Sequence, residues 1–204
     1  DGATTYGSYT ASAVQRAVDE SADCATVKVA GYCTAVQARD FTTQTLHINK
    51  PLIVRGGYTN TNWIASDPAQ HPTTLDAQLT DRVVFITNTA GTLENLTVQQ
   101  GWAWSGGGGG IYAGQSLALS NVTVISNAAV GEYYLDFTSG GGGVYVDGDL
   151  NLTATTFMTN IAWMGGGAIV LGDVNAISST IAYNMAYLAA GIFASDTTRI
   201  DNSI

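Results

Sequence analysis

Two sets of side chains have the types and spacing to do chemistry. The first is acidic. Asp149 and Asp173 lie 24 residues apart, Asp147 is close by, and Asp196 falls near the same position, one residue out of register. Stacked carboxylates can ligate Ca²⁺ through oxygen. They can also act as an acid–base pair when about 6.5–9.5 Å apart across a glycosidic bond. Gly148, Gly172 and Ser195 stand beside them, so the simpler expectation is a set of solvated turn carboxylates. The regular half of the chain has one basic residue, Arg199, and no histidine; His47 and His71 lie earlier. An anionic sugar would meet little positive charge there. The second set is aromatic. Trp104, Trp163 and Tyr187 share one aligned position, with Val130 between. Such a file can stack on sugar rings or on a partner surface. Ala103, Ala129, Ala162 and Ala186 adjoin it; alanine suits a crowded interior, so the aromatic file is expected to point outward. A third candidate is the pair Cys24 and Cys33, which flank a strand and turn and are close enough for a local disulfide in an oxidising compartment.

The elements that must position these residues form a repeat. Gly108-Gly109-Gly110-Ile111-Tyr112 returns as Gly141-Gly142-Gly143-Val144-Tyr145, then as Gly165-Gly166-Gly167-Ala168-Ile169, and last as Ala189-Ala190-Gly191-Ile192-Phe193, at spacings of 33, 24 and 24 residues. Asn127, Asn160 and Asn184 keep the same time. Two markers with one period define a repeat. Between them, Leu117, Leu119, Asn121, Thr123 and Ile125 alternate, as do Leu150, Leu152, Ala154, Thr156 and Met158. Period-two spacing rich in Thr, Val and Ile marks strands. The expected fold is therefore all-β: a right-handed parallel β-helix of about 24 residues per coil and about seven coils, adjacent coils about 4.8 Å apart. The glycines are expected to turn corners at positive φ. The asparagines are expected to tolerate the left-handed region and to form an amide ladder. Gly106–Gly110 lacks the Gly-Lys-Ser/Thr ending of a phosphate loop.

Phe157-Met158-Thr159-Asn160 followed by Gly166-Gly167-Ala168-Ile169 resembles the paired F-x-x-N and G-G-A-I repeats of bacterial polymorphic outer-membrane proteins. Residues 51–78, with Pro-Leu-Ile-Val-Arg-Gly-Gly-Tyr at their start, resemble the first coils of secreted bacterial β-helix proteins. The resemblance implies a surface-exposed β-helix associated with adhesion. Lyases, adhesins and structural proteins share that architecture, so it speaks to fold more than to function.

The formal net charge of −9 argues against nucleic acid and anionic membranes as partners. Charged residues make up only 11% of the chain, against the usual quarter or so. There is no apolar run long enough to span a membrane. Asp1 reads either as a processed start or as the boundary of a fragment of something longer. The acceptor patterns at Asn95, Asn121 and Asn151 are close to chance in so Asn- and Thr-rich a chain.

In chain order, residues 1–10 read as an extended arm and 11–22 as a capping helix with Ser12 as N-cap. Strands follow near 26–30, 45–49, 51–55, 83–87 and 93–98. Residues 56–81 read as a projecting loop, and 91–204 as the regular repeat of a single domain. About nine inserted residues around Gly131–Phe137 explain the 33-residue spacing. Thr198–Ile204 begins another coil, leaving strand edges at Ile200 and Ile204 that invite pairing. The arm, through Thr5, Tyr6 and Tyr9, is expected to add as a strand to that edge of the next subunit, a head-to-tail contact that would build a filament. The leading functional expectation is a non-enzymatic extracellular surface or structural protein for adhesion or self-assembly, its partner a second copy or a cell-surface glycan. The alternatives are a carbohydrate-active lyase or hydrolase, or a carbohydrate-binding module. The only cofactor suggested is Ca²⁺ at Asp149 and Asp173.

Overall fold

A computed structural model of the chain describes residues 4–39, 41–131 and 139–204. The insertion read at 131–137 lies, apart from Gly131, outside them. The described chain is one helix and a succession of short strands in three sheets, almost all parallel.

The longest path runs through β1 (Thr26–Ala30), β5 (Ile53–Tyr58), β8 (Gly91–Gln99), β11 (Leu117–Ile125), β14 (Leu150–Thr153), β18 (Val174–Ile177) and β22 (Thr198–Asp201). β6 (Thr74–Asp76) joins it on β8 and carries β2 (Tyr32–Thr34), and β15 (Thr156–Met158) joins it on β11 and carries β19 (Thr180–Ala182). The second sheet orders β3 (Gln37–Arg39), β4 (Thr42–Ile48), β7 (Arg82–Ile86), β10 (Ile111–Ala113), β13 (Val144–Val146), β17 (Ala168–Val170) and β21 (Ile192–Ala194). The third holds β9 (Trp102–Ala103), β12 (Ala128–Ala129), β16 (Ile161–Met164) and β20 (Met185–Leu188). Among the described residues only β3 and β4 pair antiparallel.

Register follows the sequence period. Ile111 pairs with Val144, Val144 with Ala168, and Ala168 with Ile192, at the 33- and 24-residue spacings of the glycine motif. Each inward position therefore meets a like residue above and below. Leu93, Leu119, Leu152 and Ala176 form one buried column. Val98, Val124, Phe157 and Ile181 form another, so the aromatic of the F-x-x-N motif is a core residue. Burying a Leu or Phe side chain stabilises the fold by roughly 1.5–3 kcal/mol, so these columns supply the main driving force.

Two turn positions per repeat carry non-glycine residues at positive φ. One runs through Asn95, Asn121, Ala154, Ser178 and Asn202; the other through Gln100, Ser126, Thr159 and Tyr183. The asparagines expected in the left-handed region, Asn127, Asn160 and Asn184, each follow the second set by one residue and lie outside that region. At the third corner Gly108, Gly141 and Gly165 have positive φ and Gly167 does not.

Helix α1 (Ser12–Glu20) packs Val14 and Val18 onto the first strands. Its N-cap is Ala11, with no side-chain cap bond; Ser12 is the first helical residue. The buried carboxamide of Gln15 replaces a strand. Its Nε2 donates to the His47 carbonyl at 2.9 Å and its Oε1 accepts the His47 N–H at 2.7 Å, closing that part of the β4 edge. The projecting loop is shorter than the sequence suggested, because Tyr58 ends β5 and Thr74–Asp76 returns as β6 between β2 and β8. Lys28 ties the loop down through the Trp63 carbonyl at 2.6 Å. No helix among the described residues is long and apolar enough to cross a membrane.

Candidate binding face

The third sheet is built by the glycine run. An ideal Cβ at Gly109 would stand 2.1 Å from the Ala128 carbonyl oxygen, at Gly142 2.3 Å from that of Ile161, and at Gly166 2.5 Å from that of Met185. The run therefore lies directly against the backbone of β12, β16 and β20, a separation only glycine permits. On the same inner side, Ala103, Ala129 and Ala162 form a small buried cluster of their own. A larger side chain at these alanine positions would meet the glycine run, so the bulky residues beside them, Trp104, Trp163 and Tyr187, turn outward.

They do so in two files. Trp104, Trp163 and Tyr187 are 65%, 38% and 81% exposed. Beside them Ile161 and Met185 are also exposed, with Trp102 half-buried. Register places Ile161 against Met185 and Ala162 against Ala186, so Trp163 and Tyr187 occupy one position on neighbouring strands. Trp102 and Trp104 lie with ring centroids 5.6 Å apart. The outward turn of the aromatics thus agrees with the expectation drawn from the alanines. No acceptor among the described residues meets the buried indole N–H of Trp102.

The rim of this face is polar. Ser126, Thr159 and Tyr183 are exposed at the left-handed turn that leads into each strand. Ser126 and Thr159 hydroxyls bond at 3.0 Å across neighbouring repeats. Behind the rim runs the amide ladder. Asn127 Nδ2 donates to Asn160 Oδ1 at 3.0 Å, and Asn160 Nδ2 to Asn184 Oδ1 at 2.9 Å.

The acidic pair does different work. Oδ1 of Asp149 accepts the Asp173 N–H at 3.0 Å, and Oδ1 of Asp173 accepts the Thr197 N–H at 2.9 Å. Ser116 Oγ accepts the Asp149 N–H in the same way at 3.1 Å. One column of side-chain oxygens thus holds each turn to the next. Both aspartates are exposed, and among the described residues no group of three or more His, Cys, Asp or Glu could hold a metal. Asp147 accepts instead from the Tyr112 hydroxyl at 3.0 Å.

Cys24 and Cys33 are both free thiols, the first exposed and the second buried. Burial pushes the Cys33 thiol up to about 11. Nor is the arm free as expected. Tyr6 donates its hydroxyl to Glu20, the Arg16 guanidinium lies 4.9 Å from the Tyr6 ring centre, and Ser8 bonds Ser12 at 2.9 Å, so residues 6–8 are held on α1. Thr5 and Tyr9 are exposed, as are Ile200 in β22 and Ile204 beyond it.

Two features escaped the sequence. Arg82 is buried, and its guanidinium donates to the carbonyls of Gly108 (3.0 Å), Gly107 (3.0 Å) and Ser105 (3.3 Å), which fixes the first glycine corner. Burial pulls its pKa down, partly offset by Asp81. Around it the outer side of the second sheet packs His47, Phe85, Tyr112 and Tyr145 ring to ring, the last two stacked and the others tilted. Burial foremost, then the bond to Asp147, pushes the Tyr112 hydroxyl up. The signal for this stack was the residue closing each glycine motif, Tyr112, Tyr145, Ile169 and Phe193, which keeps the same period.

In comparisons with known proteins, no family model, no curated protein and no solved structure matches the chain.

Proposed function

We propose that the chain folds as a right-handed parallel β-helix and serves as a non-enzymatic extracellular surface or structural protein, in adhesion or self-assembly, with the outer face of β9, β12, β16 and β20 as its contact surface. Parallel strands joined through crossovers are right-handed in about 98% of cases, and the in-register stacking of like residues is the packing of a solenoid. The resemblance of Phe157–Asn160 and Gly166–Ile169 to surface-protein repeats points the same way. The observation that carries the functional reading is the file Trp104, Trp163 and Tyr187, held outward by a glycine and alanine backing. Exposed apolar patches of this kind mark interaction sites. The aspartates proposed for catalysis or Ca²⁺ each use one carboxylate oxygen to brace a turn, which supports a scaffold role for them.

The test compares the full chain with the double variant Trp163→Ser, Tyr187→Ser. Sedimentation velocity over a range of concentrations reads self-assembly, and retention on protein-coated and polysaccharide beads reads adhesion. The expected result is that one of the two is present in the parent and lost in the variant at unchanged melting temperature. Identical behaviour of the two proteins in every assay would overturn the reading.

A further inference from the structure

The binding face is more specific in its layout than a general apolar patch. Strand neighbours lie about 4.8 Å apart, so Trp163 and Tyr187 stand one step apart, while Trp104 and Trp163 stand two steps, about 9.6 Å, apart. The intervening position is Val130, half-buried. The three positions therefore form a straight row across the strands. Ser126, Thr159 and Tyr183 form a second, hydroxyl-bearing row parallel to the first, with the apolar file of Trp102, Ile161 and Met185 between the two. None of the outward residues Trp102, Trp104, Ala128, Val130, Ile161, Trp163, Met185 or Tyr187 is charged.

We infer that this face binds a linear, neutral polysaccharide of equatorially linked pyranose rings, lying along the row of aromatics and crossing the strands. The inference rests on the reading of this face as the contact surface. Its chemistry is that of an amphipathic ligand. The axial C–H faces of such sugars are apolar and flat, and they stack on indole and phenol rings. Their hydroxyls lie in the ring plane and point sideways, towards the Ser126, Thr159 and Tyr183 row, where few but well-placed polar groups set orientation. A disaccharide unit of an extended chain is close in length to the separation of Trp104 and Trp163, so alternate sugars meet alternate rings. Charge selects among polysaccharides. The molecule carries a net charge of −9, which repels an anionic glycan; a neutral glycan meets no such penalty.

The experiment uses the 204-residue chain with four probes: cellulose powder, chitin beads, starch granules and cross-linked polygalacturonate. Starch has axial linkages and a coiled chain, and polygalacturonate is anionic. Retention on cellulose or chitin, absent on the other two, is expected. Trp104→Ala and Trp163→Ala should each lower affinity about tenfold, equivalent to about 1.4 kcal/mol, at unchanged melting temperature. The pair Ser126→Ala with Thr159→Ala leaves the rings in place and should weaken retention by a few-fold. Soluble oligosaccharides of the retained polymer should perturb tryptophan fluorescence in the parent, and about tenfold more should be needed for the same change in Trp163→Ala. No retention on either neutral polymer, equal retention on polygalacturonate, or retention untouched by the tryptophan variants would each overturn the inference. Self-association lost in the same variants, without retention on glycan, would overturn the glycan and keep the contact surface. Neither binding nor self-association would overturn both.

Discussion

The carboxamide of Asn127 donates to Oδ1 of Asn160 at 3.0 Å, and the Asn127 backbone N–H reaches the same oxygen at 3.0 Å. One side-chain oxygen thus holds both the side chain and the backbone of the repeat below it. Asn160 repeats the arrangement with Asn184, and its second amide hydrogen bonds the Val124 carbonyl at 2.9 Å. Asn127 and Asn160 are buried, so each depends on its neighbour; an orphaned buried donor costs about 1–3 kcal/mol.

Replacing Asn160 by Ala removes partners from the Asn127 N–H, the Asn127 amide and the Val124 carbonyl together. We expect a loss of about 3 kcal/mol or more in urea unfolding. Asn184→Ala, at a half-buried position where water can reach, should cost about half as much. Equal effects of the two would mean that burial does not govern the ladder.

Gly167 and Gly191 are equivalent positions in successive repeats, yet they should respond oppositely to alanine. A Cβ at Gly167 would stand 2.5 Å from the Gly191 carbonyl oxygen, whereas at Gly191 the nearest atom is Ile181 Cγ2 at 3.5 Å, an ordinary contact. Neither residue has positive φ, so the difference is steric. Gly167→Ala is expected to cost about 2 kcal/mol or more, because a backbone carbonyl cannot move without breaking its own bond to the Ala168 N–H at 3.0 Å. Gly191→Ala should fall within about 1 kcal/mol of the parent, helped by the lower entropy of its unfolded chain. Thermal unfolding of both variants decides the matter.

Burial raises the Cys33 thiol from its usual 9.0 to about 11. The folded state thus holds this proton more tightly than the unfolded one. The stability it brings is complete below pH 9 and is lost as pH climbs towards 11, by about 2–3 kcal/mol in all. Denaturant midpoints measured between pH 8 and 11 should fall less steeply in Cys33→Ala than in the parent. At pH 8 a thiol reagent should label exposed Cys24 and spare Cys33 until denaturant is added.

The aspartate column gives a prediction about metal. Asp173→Asn keeps an Oδ1 that can accept the Thr197 N–H, whereas Asp173→Ala does not. The first should match the parent in stability and the second should lose about 1 kcal/mol. A chelator should leave the melting temperature of the parent where it is. A drop with chelator, restored by Ca²⁺, would show that these carboxylates hold an ion as well as a turn.

How far the sequence could be read depends on whether a feature shares the period. The glycine and asparagine motifs, the Phe157 column and the outward aromatics all recur every 24 or 33 residues, and stacking brings each onto its own counterpart. Their neighbours can therefore be named from spacing alone. The period does not say which residue of a motif bears strain. Thus positive φ falls on Gly165 and Thr159, not on Gly167 and Asn160. Nor does it reach features that occur once. Arg82 under the first glycine corner, the return of β6, the docking of Tyr6 on Glu20 and the free thiol of Cys33 arise from contacts between segments with no common repeat. The acidic column shows a third case. Its spacing was legible, but whether a carboxylate faces a metal or a neighbouring N–H is decided by turn geometry.

The last prediction concerns the edge that Gln15 covers. Its carboxamide bonds the His47 N–H and carbonyl and also reaches Asp19 Oδ1 at 3.0 Å. A side chain here imitates the backbone of one strand residue, and it sits on α1, which cannot pair further. Gln15→Leu keeps the apolar contacts with the core and removes both bonds to β4. We expect a loss of about 2 kcal/mol in urea unfolding, since two backbone groups lose their partner in a buried place. We also expect a second effect. Once uncovered, that stretch of β4 becomes a template for another chain. The variant should therefore scatter more light on incubation well below its melting temperature, and seeded growth should not require unfolding. Gln15→Glu separates the two effects. Its carboxylate can still accept the His47 N–H but cannot donate to the carbonyl, and a charge facing the edge discourages strand addition. It should lose a similar amount of stability and stay dispersed. If both variants aggregate alike, lost stability alone drives aggregation and the cap has no protective role.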